Sequence, residues 1–315
     1  MSYQQEISRE LLELLQSRNY HAVHEEQAFP SALRPFKRII SFVRHHIKLN
    51  KRRKLLEAIH RLSAHSIVKC VDDFRGTFEL ISESNLTLMI LENSYEVDLI
   101  PFIEKILKHG DHVIDIGANV GLYTNLSAKL VGPAGKVLSI EPNPFVYTVL
   151  ESNIRRNQLD NIILFNGVAT SVPSFYKLNA TEGCPEYSSL GAIVHPHAPK
   201  EIKEITVKGE TVDNLVSANN LNPILLKIDV EGAEGLVLSG AAMVLEKYKP
   251  YVLSELDDRL LKELSWDAMQ VINLLEEYDY EIFDADNGSA LSSRQLDRAF
   301  SGEIIALPKE STALS

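Results

Sequence analysis

Residues 112–124 read HVIDIGANVGLYT, and this stretch decides the fold of the chain. Mostly apolar residues lead through Asp115 to Gly117, a second glycine follows at Gly121, and a helix-like pattern begins there. A buried strand, a tight turn and a helix N-terminus in that order are how an open α/β sheet builds a cofactor site. Gly117 allows the sharp turn and lets a ligand approach the backbone. An ordinary strand-to-helix turn is the alternative interpretation.

The residues around the two glycines narrow the class of ligand. Enzymes that bind NAD or FAD need a glycine at the position of Asn119, so a dinucleotide is disfavoured. The chain also lacks the GxxxxGK[ST] pattern of P-loop nucleotidases. A second strand-like run ends at Glu141, where an acid can accept hydrogen bonds from both hydroxyls of a ribose. A ribose-bearing ligand without a pyrophosphate points to S-adenosylmethionine.

A second motif carries a resemblance to a known family. Residues 224–240 read ILLKIDVEGAEGLVLSG, and within them Lys227 to Glu234 match the signature K-[IV]-D-[VI]-E-G-[AY]-E at every position. Together with residues 113–121 and the EPNP run that follows the second strand, this segment resembles the FkbM family of S-adenosylmethionine-dependent methyltransferases. The TVDNL run that begins at Thr211 is similar to the T-[LV]-D-x-L segment of the same family.

The resemblance, which covers about residues 90–285, implies S-adenosylmethionine as the cofactor and assigns residues to it. The methionine and ribose side is expected to be formed by Asp115, Gly117, Asn119 and Gly121, with Glu141 on the ribose hydroxyls. The adenine is expected to be flanked by residues at the ends of the second and third strands, namely Asn143, Gly167 and Val168. For Asn143, a cap on the helix that begins at the next residue is the alternative.

The signature segment supplies the candidate catalytic residues, Lys227, Asp229 and Glu231. In this fold class the fourth strand lies next to the first, so Asp229, at the end of the fourth strand, is expected beside the transferred methyl group. Lys227 points to the same side, because side chains alternate along a strand. Asp229 or Glu231 would act as the general base toward a hydroxyl, or would instead stabilise the following helix N-terminus. A Mg²⁺ site that also includes Glu255 is a further alternative, although no metal is predicted.

Candidate substrate contacts lie in or beside residues 167–210, a stretch rich in Pro and Gly that we interpret as a substrate loop. Ser188, His195 and His197 belong to this stretch, and Glu255 ends the fifth strand. Solvated loop histidines are the alternative for His195 and His197, and their spacing alone does not predict a zinc site.

The composition bounds the class and the location of the protein. The 315 residues are 45% hydrophobic and 24% charged, which is typical of a globular protein. Two cysteines, Cys70 and Cys184, fit a reducing compartment. Because neither a signal peptide nor an apolar stretch of membrane-spanning length is present, we expect the protein in the cytoplasm.

The net charge of −11 is unevenly distributed along the chain. Residues 34–62 hold ten Lys or Arg against one acid, Glu57, so this segment is strongly basic and the remainder is strongly acidic. Its apolar residues have roughly helical spacing, which predicts a basic amphipathic helix, and such a helix can lie on an anionic membrane surface or on a partner. Packing of its apolar face against the catalytic domain, with its charges solvated, is the interpretation that we favour. The acidic remainder argues against nucleic acid as a partner, and the oligomeric state is left open.

The pattern of elements predicts an α/β protein in two parts. Residues 1–91 are expected to form a helical extension that ends in a β-hairpin, with Phe74–Ile81 pairing with Leu86–Leu91. Residues 92–315 are expected to form a class I methyltransferase domain with a Rossmann-like, doubly wound sheet of seven strands. The strands are placed at about 112–116, 136–141, 162–166, 224–229, 251–255, 280–283 and 303–307, and helices near 96–108, 121–130, 144–157, 211–218, 234–247 and 266–277.

The expected function is S-adenosylmethionine-dependent O-methylation of a hydroxyl on a sugar, a glycan or a polyketide-type product, so the expected partner is a small-molecule or glycan acceptor. The first alternative is a non-catalytic binding module that keeps the fold and docks on a partner or membrane through residues 34–62. The second is a nicotinamide-dependent oxidoreductase, against which Asn119 argues.

Overall fold

The computed structural model describes residues 67–73, 75–81, 84–91, 99–181, 184–194, 201–294 and 299–309. The short helix expected within residues 1–18 and the basic segment 34–62 lie outside the described residues. Within the described ranges, no helix combines the length and the apolar character needed to cross a bilayer.

Thirteen strands and nine α-helices are formed by the described residues. The strands are β1 (Ile67–Asp73), β2 (Gly76–Ile81), β3 (His112–Ile116), β4 (Lys136–Glu141), β5 (Ile162–Asn166), β6 (Val168–Ala169), β7 (Ser174–Thr181), β8 (Ile202–Glu210), β9 (Pro223–Ile228), β10 (Tyr251–Asp257), β11 (Tyr280–Asp284), β12 (Ala290–Leu291) and β13 (Ser301–Pro308). The helices are α1 (Asn85–Leu91), α2 (Ile100–Ile106), α3 (Leu122–Val131), α4 (Pro144–Arg156), α5 (Val212–Ala218), α6 (Glu234–Ser239), α7 (Ala242–Lys247), α8 (Asp258–Leu261) and α9 (Ala268–Glu277).

The central sheet has the strand order β12-β11-β13-β10-β9-β3-β4-β5. The five strands from β10 to β5 in this order are parallel, and β13 runs antiparallel to both of its neighbours. The α/β class I methyltransferase fold is thereby confirmed. The expected seven strands are present, and the two-residue β12 adds a short eighth strand at the edge. The predicted placement of β9 beside β3 is confirmed as well.

Hydrophobic clusters cover both faces of this sheet. Along β3, Ile114 and Ile116 pack into a cluster with α5, α6, α7 and α9, whereas Val113 packs into another with α2 and α3. Successive side chains point to opposite faces because a strand has a period of two. The parallel strands are therefore predominantly apolar, as strands covered on both faces are.

The helix predicted at 234–247 is divided into α6 and α7 at Gly240. A Cβ at Gly240 would lie 2.1 Å from the carbonyl oxygen of Thr170, so the chain comes very close to a neighbouring segment here. The side chain of Asp213 then accepts the backbone N–H groups of Met243 and Val244 at 2.9 and 3.0 Å. The aspartate of the TVDNL run therefore satisfies the free N–H groups at the start of α7.

The predicted N-terminal hairpin is wrong in one of its strands. β2 pairs with the preceding β1, and the segment expected to form its partner is the helix α1. The Oγ of Ser84 accepts the N–H of Leu86 at 3.2 Å, as a helix-capping side chain does. Leu86 and Ile90, one helical turn apart, are buried in a cluster with residues of α3 and α4. A short apolar run fits both the two-residue period of a strand and the 3.6-residue period of a helix. Here the burial of Leu86 and Ile90 on one helical face favours the helix.

The hairpin is attached to the glycine turn between β3 and α3 through Asn153 of α4. The side-chain amide of Asn153 donates to the carbonyl oxygens of Glu79 and Val120 at 3.0 and 2.8 Å, and its oxygen accepts the N–H of Glu79. Asn153 is fully buried. The first described elements of the chain are therefore bonded to the backbone of the cofactor motif.

Residues 167–210 contain more regular structure than an irregular loop. β6, β8 and β7 form a separate three-stranded sheet, in which all of β7 pairs antiparallel with residues 202–209 of β8. The strand-like pieces expected at 174–178 and 204–208 lie within these longer strands. The connection between them includes residues 184–194, while His195 and His197 lie outside the described residues.

Candidate active site

A cavity of about 400 Å³ lies at the carboxyl ends of the parallel strands. Ligands of open α/β sheets bind at this edge. The predicted site residues that line the cavity are Gly117, Asn119, Glu141, Gly167, Val168, Ser188, Asp229, Glu231 and Glu255. Four predicted residues, Asp115, Gly121, Asn143 and Lys227, do not line it and lie behind or beside it.

Gly117 is required by the approach of two neighbouring strand ends. Its φ is +80°, and a Cβ built on it would lie 1.8 Å from the carbonyl oxygen of Asp229. The N–H of Asp229 donates to the carbonyl oxygen of Ile116 at 3.0 Å, which holds the two chains together at this point. The first glycine of the motif therefore brings Asp229 into the cofactor site.

Glu141 presents its carboxyl group to the cavity from the end of β4. Its oxygens accept the backbone N–H of Asn119 at 3.0 Å and that of Asn143 at 2.8 Å. Burial raises the pKa of Glu141 to about 7, against the lowering effect of these two hydrogen bonds. A carboxylate offers about four acceptor positions, so about two remain for a ligand.

Asp115 lies beneath the cavity and is almost completely buried. One oxygen accepts the hydroxyl of Thr124 at 2.6 Å, and the other has no hydrogen-bond partner among the described residues. Burial raises the pKa of Asp115, and the nearby ammonium of Lys227 opposes that rise. The position of Asp115 suits a role in holding Lys227 and the start of α3.

Gly121 and Asn143 lie at the starts of helices. Gly121 precedes α3 with a left-handed φ of 93°. Asn143 caps α4, because its side-chain oxygen accepts the N–H of Phe145 at 3.1 Å. The Asn143 amide also donates to the Oγ of Ser188 at 3.5 Å, which connects the cap to the wall of the cavity.

Lys227 and Asp229 form an ion pair at the end of β9. The ammonium of Lys227 lies 3.0 Å from one carboxylate oxygen of Asp229 and 4.8 Å from the centre of the Tyr123 ring. The side chain of Lys227 is 9% exposed and that of Asp229 is 24% exposed. Asp229 therefore faces the cavity while Lys227 supports it from the protein side.

Glu231 and Glu234 differ in role although they belong to the same turn. Glu234 is buried, and one of its oxygens accepts the N–H groups of Val230 and Gly232 at 3.3 and 3.2 Å. It therefore fixes the turn, and burial raises its pKa to about 8. Glu231 has a left-handed φ of 53° and lines the cavity. Two effects raise the pKa of Glu231 well above the ordinary value. Burial is the larger effect, and the nearby negative charge of Asp229 is the next largest.

The cavity has further walls that the motifs do not predict. Leu86 and Met89 of α1 contribute apolar surface, and Glu186, Asp286 and Glu303 contribute carboxyl groups. The Oγ of Ser84 donates to Glu186 at 2.9 Å, so the region before α1 is bonded to the loop after β7. The sequence offers one signal for Asp286 and Glu303: they lie at or near ends of the strands predicted at 280–283 and 303–307.

The alternative Mg²⁺ site on Asp229, Glu231 and Glu255 finds no support. In the part of the chain that the structure describes, no three His, Cys, Asp or Glu side chains are placed to hold a metal ion together.

The residues present fit S-adenosylmethionine. The free acceptor positions of Glu141 suit the two ribose hydroxyls, and the apolar surface of Ile140, Pro142 and Val168 suits an adenine ring. Asp229 follows β9, the strand that pairs with β3. Its negative carboxylate would attract the positively charged sulfonium of the cofactor. When bound, the cofactor supplies a methyl group on that sulfonium, whose bond electrons stay with sulfur as the methyl is transferred.

Comparison with known proteins agrees with this geometry. The model of the methyltransferase FkbM domain matches residues 115–282, more than half of the chain. An uncharacterised protein of Methanocaldococcus jannaschii is 35% identical over 107 residues, which are 34% of this chain and 39% of that protein. A protein-L-isoaspartate O-methyltransferase of Methanothrix thermoacetophila is 29% identical over 98 residues, 31% of this chain and 43% of that protein. The chain thus matches less than half the length of these curated relatives.

Solved structures were also matched, at low sequence identity and low TM-score. A methyltransferase FkbM from Methylobacillus flagellatus has a TM-score of 0.39 and 14% identity, over 82% of this chain and 60% of that chain. An O-methyltransferase from Bacillus cereus, solved with S-adenosylhomocysteine, has a TM-score of 0.38 and 13% identity, over 82% of this chain and 91% of that chain. The family match itself, which spans the cofactor motif and the signature segment, carries the assignment: the chain belongs to the FkbM family of methyltransferases, which use S-adenosylmethionine.

Proposed function

We propose that this methyltransferase modifies a hydroxyl group on a sugar, a glycan or a polyketide-type product, and that Asp229 is the general base. The observation that carries the proposal is the position of Asp229. Its carboxylate lines the cavity, is held by Lys227 at 3.0 Å, and lies one strand away from the glycine turn of the cofactor site.

A hydroxyl is a weak nucleophile and must lose its proton as the new carbon–oxygen bond forms. A carboxylate within hydrogen-bond reach of the acceptor can take that proton. Lys227 holds the carboxylate of Asp229 at 3.0 Å, and this fixed orientation favours Asp229 over Glu231 as the base. Asp229 is therefore assigned as the base, and Glu231, which lines the same cavity, as a further contact to the acceptor.

The charge and hydrogen-bonding character of the cavity support a polyhydroxylated acceptor. Carboxylates accept hydrogen bonds from hydroxyl groups, and several carboxyl groups line the cavity on the side of β10 and β13. An acceptor with several hydroxyls can satisfy more of these groups than an apolar one.

The test is the variant Asp229→Asn, which keeps the shape of the side chain and removes the base. We expect transfer of labelled methyl groups to a hydroxyl acceptor to fall by about 10²- to 10⁴-fold, with binding of S-adenosylhomocysteine within a few-fold of the original. Asp160→Asn, at an exposed position before β5, is the matched control and should retain full activity. Undiminished transfer by Asp229→Asn, or a product methylated on carbon or nitrogen, would contradict the proposal.

A further inference from the structure

One edge of strand β2 is bonded by side chains of helix α4, while β1 pairs with the other edge. The N–H of Thr77 donates to the side-chain oxygen of Asn157 at 3.0 Å, and the amide of Asn157 donates back to the carbonyl oxygen of Thr77 at 2.9 Å. Glu79 makes the same two bonds with Asn153, at 2.6 and 3.0 Å. Asn153 and Asn157 lie one helical turn apart on one face of α4. The helix therefore bonds this edge as a neighbouring strand would.

The two asparagines differ in the second bond that each amide donates. The amide of Asn157 donates to the carbonyl oxygen of Asn153, within α4, at 2.8 Å. The amide of Asn153 donates at 2.8 Å to the carbonyl oxygen of Val120, in the glycine turn between β3 and α3. Asn153 thus joins the hairpin to the cofactor motif, whereas Asn157 joins the hairpin to α4 alone.

The turn that contains Val120 has an unusual backbone. The residues on either side of Val120 are both left-handed, with a φ of 49° at Asn119 and 93° at Gly121. Such conformations are sparsely populated by residues other than glycine and persist where the surrounding structure holds them. On the cavity side, the N–H of Asn119 donates to Glu141 at 3.0 Å. On the opposite side, the amide of Asn153 holds the next carbonyl group along the chain.

Helix α4 lies close against this turn. A Cβ built on Gly121 would lie 2.6 Å from the Cδ1 of Leu150, which precedes Asn153 by one helical turn. Asn153 itself is fully buried. Loss of its amide would leave the carbonyl oxygen of Val120 without this bond in a buried place, which costs free energy. The turn would then relax toward other conformations.

We propose that Asn153 is a positioning residue for cofactor binding: it holds the glycine turn in the conformation that accepts S-adenosylmethionine, and it couples the N-terminal hairpin to the cofactor site. Gly117 and Asn119 of this turn line the cavity, so its conformation decides the shape of the cofactor wall. A ligand binds more weakly by the fraction of molecules that have the binding conformation. The inference depends on the cofactor of the family and not on the acceptor or on the base.

The experiment compares Asn153→Ala with Asn157→Ala in the full chain. Both variants lose two bonds to the backbone of β2, so both are expected to unfold at a lower temperature than the original protein. Binding of S-adenosylhomocysteine is measured by titration calorimetry well below the unfolding temperature of each variant. We expect Asn153→Ala to bind it at least about tenfold more weakly, because the turn is then competent in about a tenth of the molecules or fewer.

Asn157→Ala is the matched control and should bind S-adenosylhomocysteine within about twofold of the original protein. A purely structural role of Asn153 in fastening the hairpin predicts similar losses of affinity in the two variants. Similar losses, or unchanged affinity in Asn153→Ala, would therefore overturn the inference.

Hydrogen exchange on the unmodified protein gives a test that does not depend on the folding of a variant. Coupling between two sites is reciprocal, so bound S-adenosylhomocysteine should oppose local opening of the hairpin. We expect saturating S-adenosylhomocysteine to slow exchange of the backbone N–H groups of residues 77–80 at least about threefold more than that of α5, none of whose residues lines the cavity. Equal slowing in the hairpin and in α5 would refute the coupling.

Discussion

Protonation of Glu141 should control how tightly the nucleoside part of the cofactor binds. Burial raises the pKa of this carboxyl group to about 7, and the side chain faces the cavity from the end of β4. Two ribose hydroxyls can both donate to a carboxylate but not to a protonated carboxyl group. If only the ionised form binds the ribose fully, the apparent dissociation constant rises about tenfold from pH 8 to pH 6, which corresponds to about 1.4 kcal/mol.

The best ligand for this measurement is methylthioadenosine. It keeps the adenine and the ribose but lacks the amino and carboxyl groups of the methionine part, so the ligand itself does not titrate near neutral pH. Dissociation constants are determined by titration calorimetry at half-unit steps between pH 6 and pH 8. The expected curve rises toward low pH with its midpoint near the pKa of Glu141.

The variant Glu141→Gln separates this effect from other titrating groups. An amide cannot ionise, and its single oxygen cannot accept both the N–H of Asn119 and the N–H of Asn143 as the carboxylate does. We expect weaker binding at every pH and no dependence on pH in this range. Equal affinity of the original protein at pH 6 and pH 8 would refute the assignment of Glu141 to the ribose.

Three further predictions follow from the same structure. Gly117→Ala should lower the free energy of unfolding by about 1–3 kcal/mol more than Gly110→Ala in denaturant titrations, because both positions have positive φ but only Gly117 faces a backbone oxygen at 1.8 Å; equal losses would contradict this. The pKa of Glu234, raised to about 8, means that the folded state keeps a proton that the unfolded state releases. This group should therefore lower stability by about 1.4 kcal/mol per pH unit between pH 5 and pH 8, and Glu234→Gln should remove that slope; an unchanged slope would count against it. Through the basic segment 34–62, the full chain should co-sediment with anionic vesicles but not with neutral vesicles at low salt, and high salt should release it. Failure to co-sediment at low salt would instead favour packing of this segment against the catalytic domain.

The parallel part of the sheet was predictable because its signals are local. The strand that precedes Gly117 and the strand that ends at Glu141 are predicted at their observed bounds. Apolar runs of this length, followed by Gly or by a helix-capping Asn, leave few alternatives. The helix α1 was not predictable in the same way, since residues 86–91 fit either period until the cluster with Val120 and Leu122 is known.

The candidate site was predictable where the family signature covers it. Asp229 and Glu231 line the cavity as that segment suggests, while Glu234 serves the turn. The far wall was not found from the sequence, because Asp286 and Glu303 belong to no motif and reach the cavity only through the positions of β11 and β13. His195 and His197 lie outside the described residues, so their role stays a prediction.

The sequence by itself determined the strand-turn-helix of the cofactor motif, the family and the type of fold, because backbone geometry and hydrophobic period act over a few neighbouring residues. Only the tertiary structure decided what stands opposite that motif. Gly117 and the carbonyl oxygen of Asp229 meet at a distance that excludes a Cβ, and Glu255 meets Glu303 across two strands. Such contacts depend on the strand order of the sheet, which joins residues far apart in the chain, and it is this order that brings Glu255 and Glu303 to the cavity that Gly117 lines.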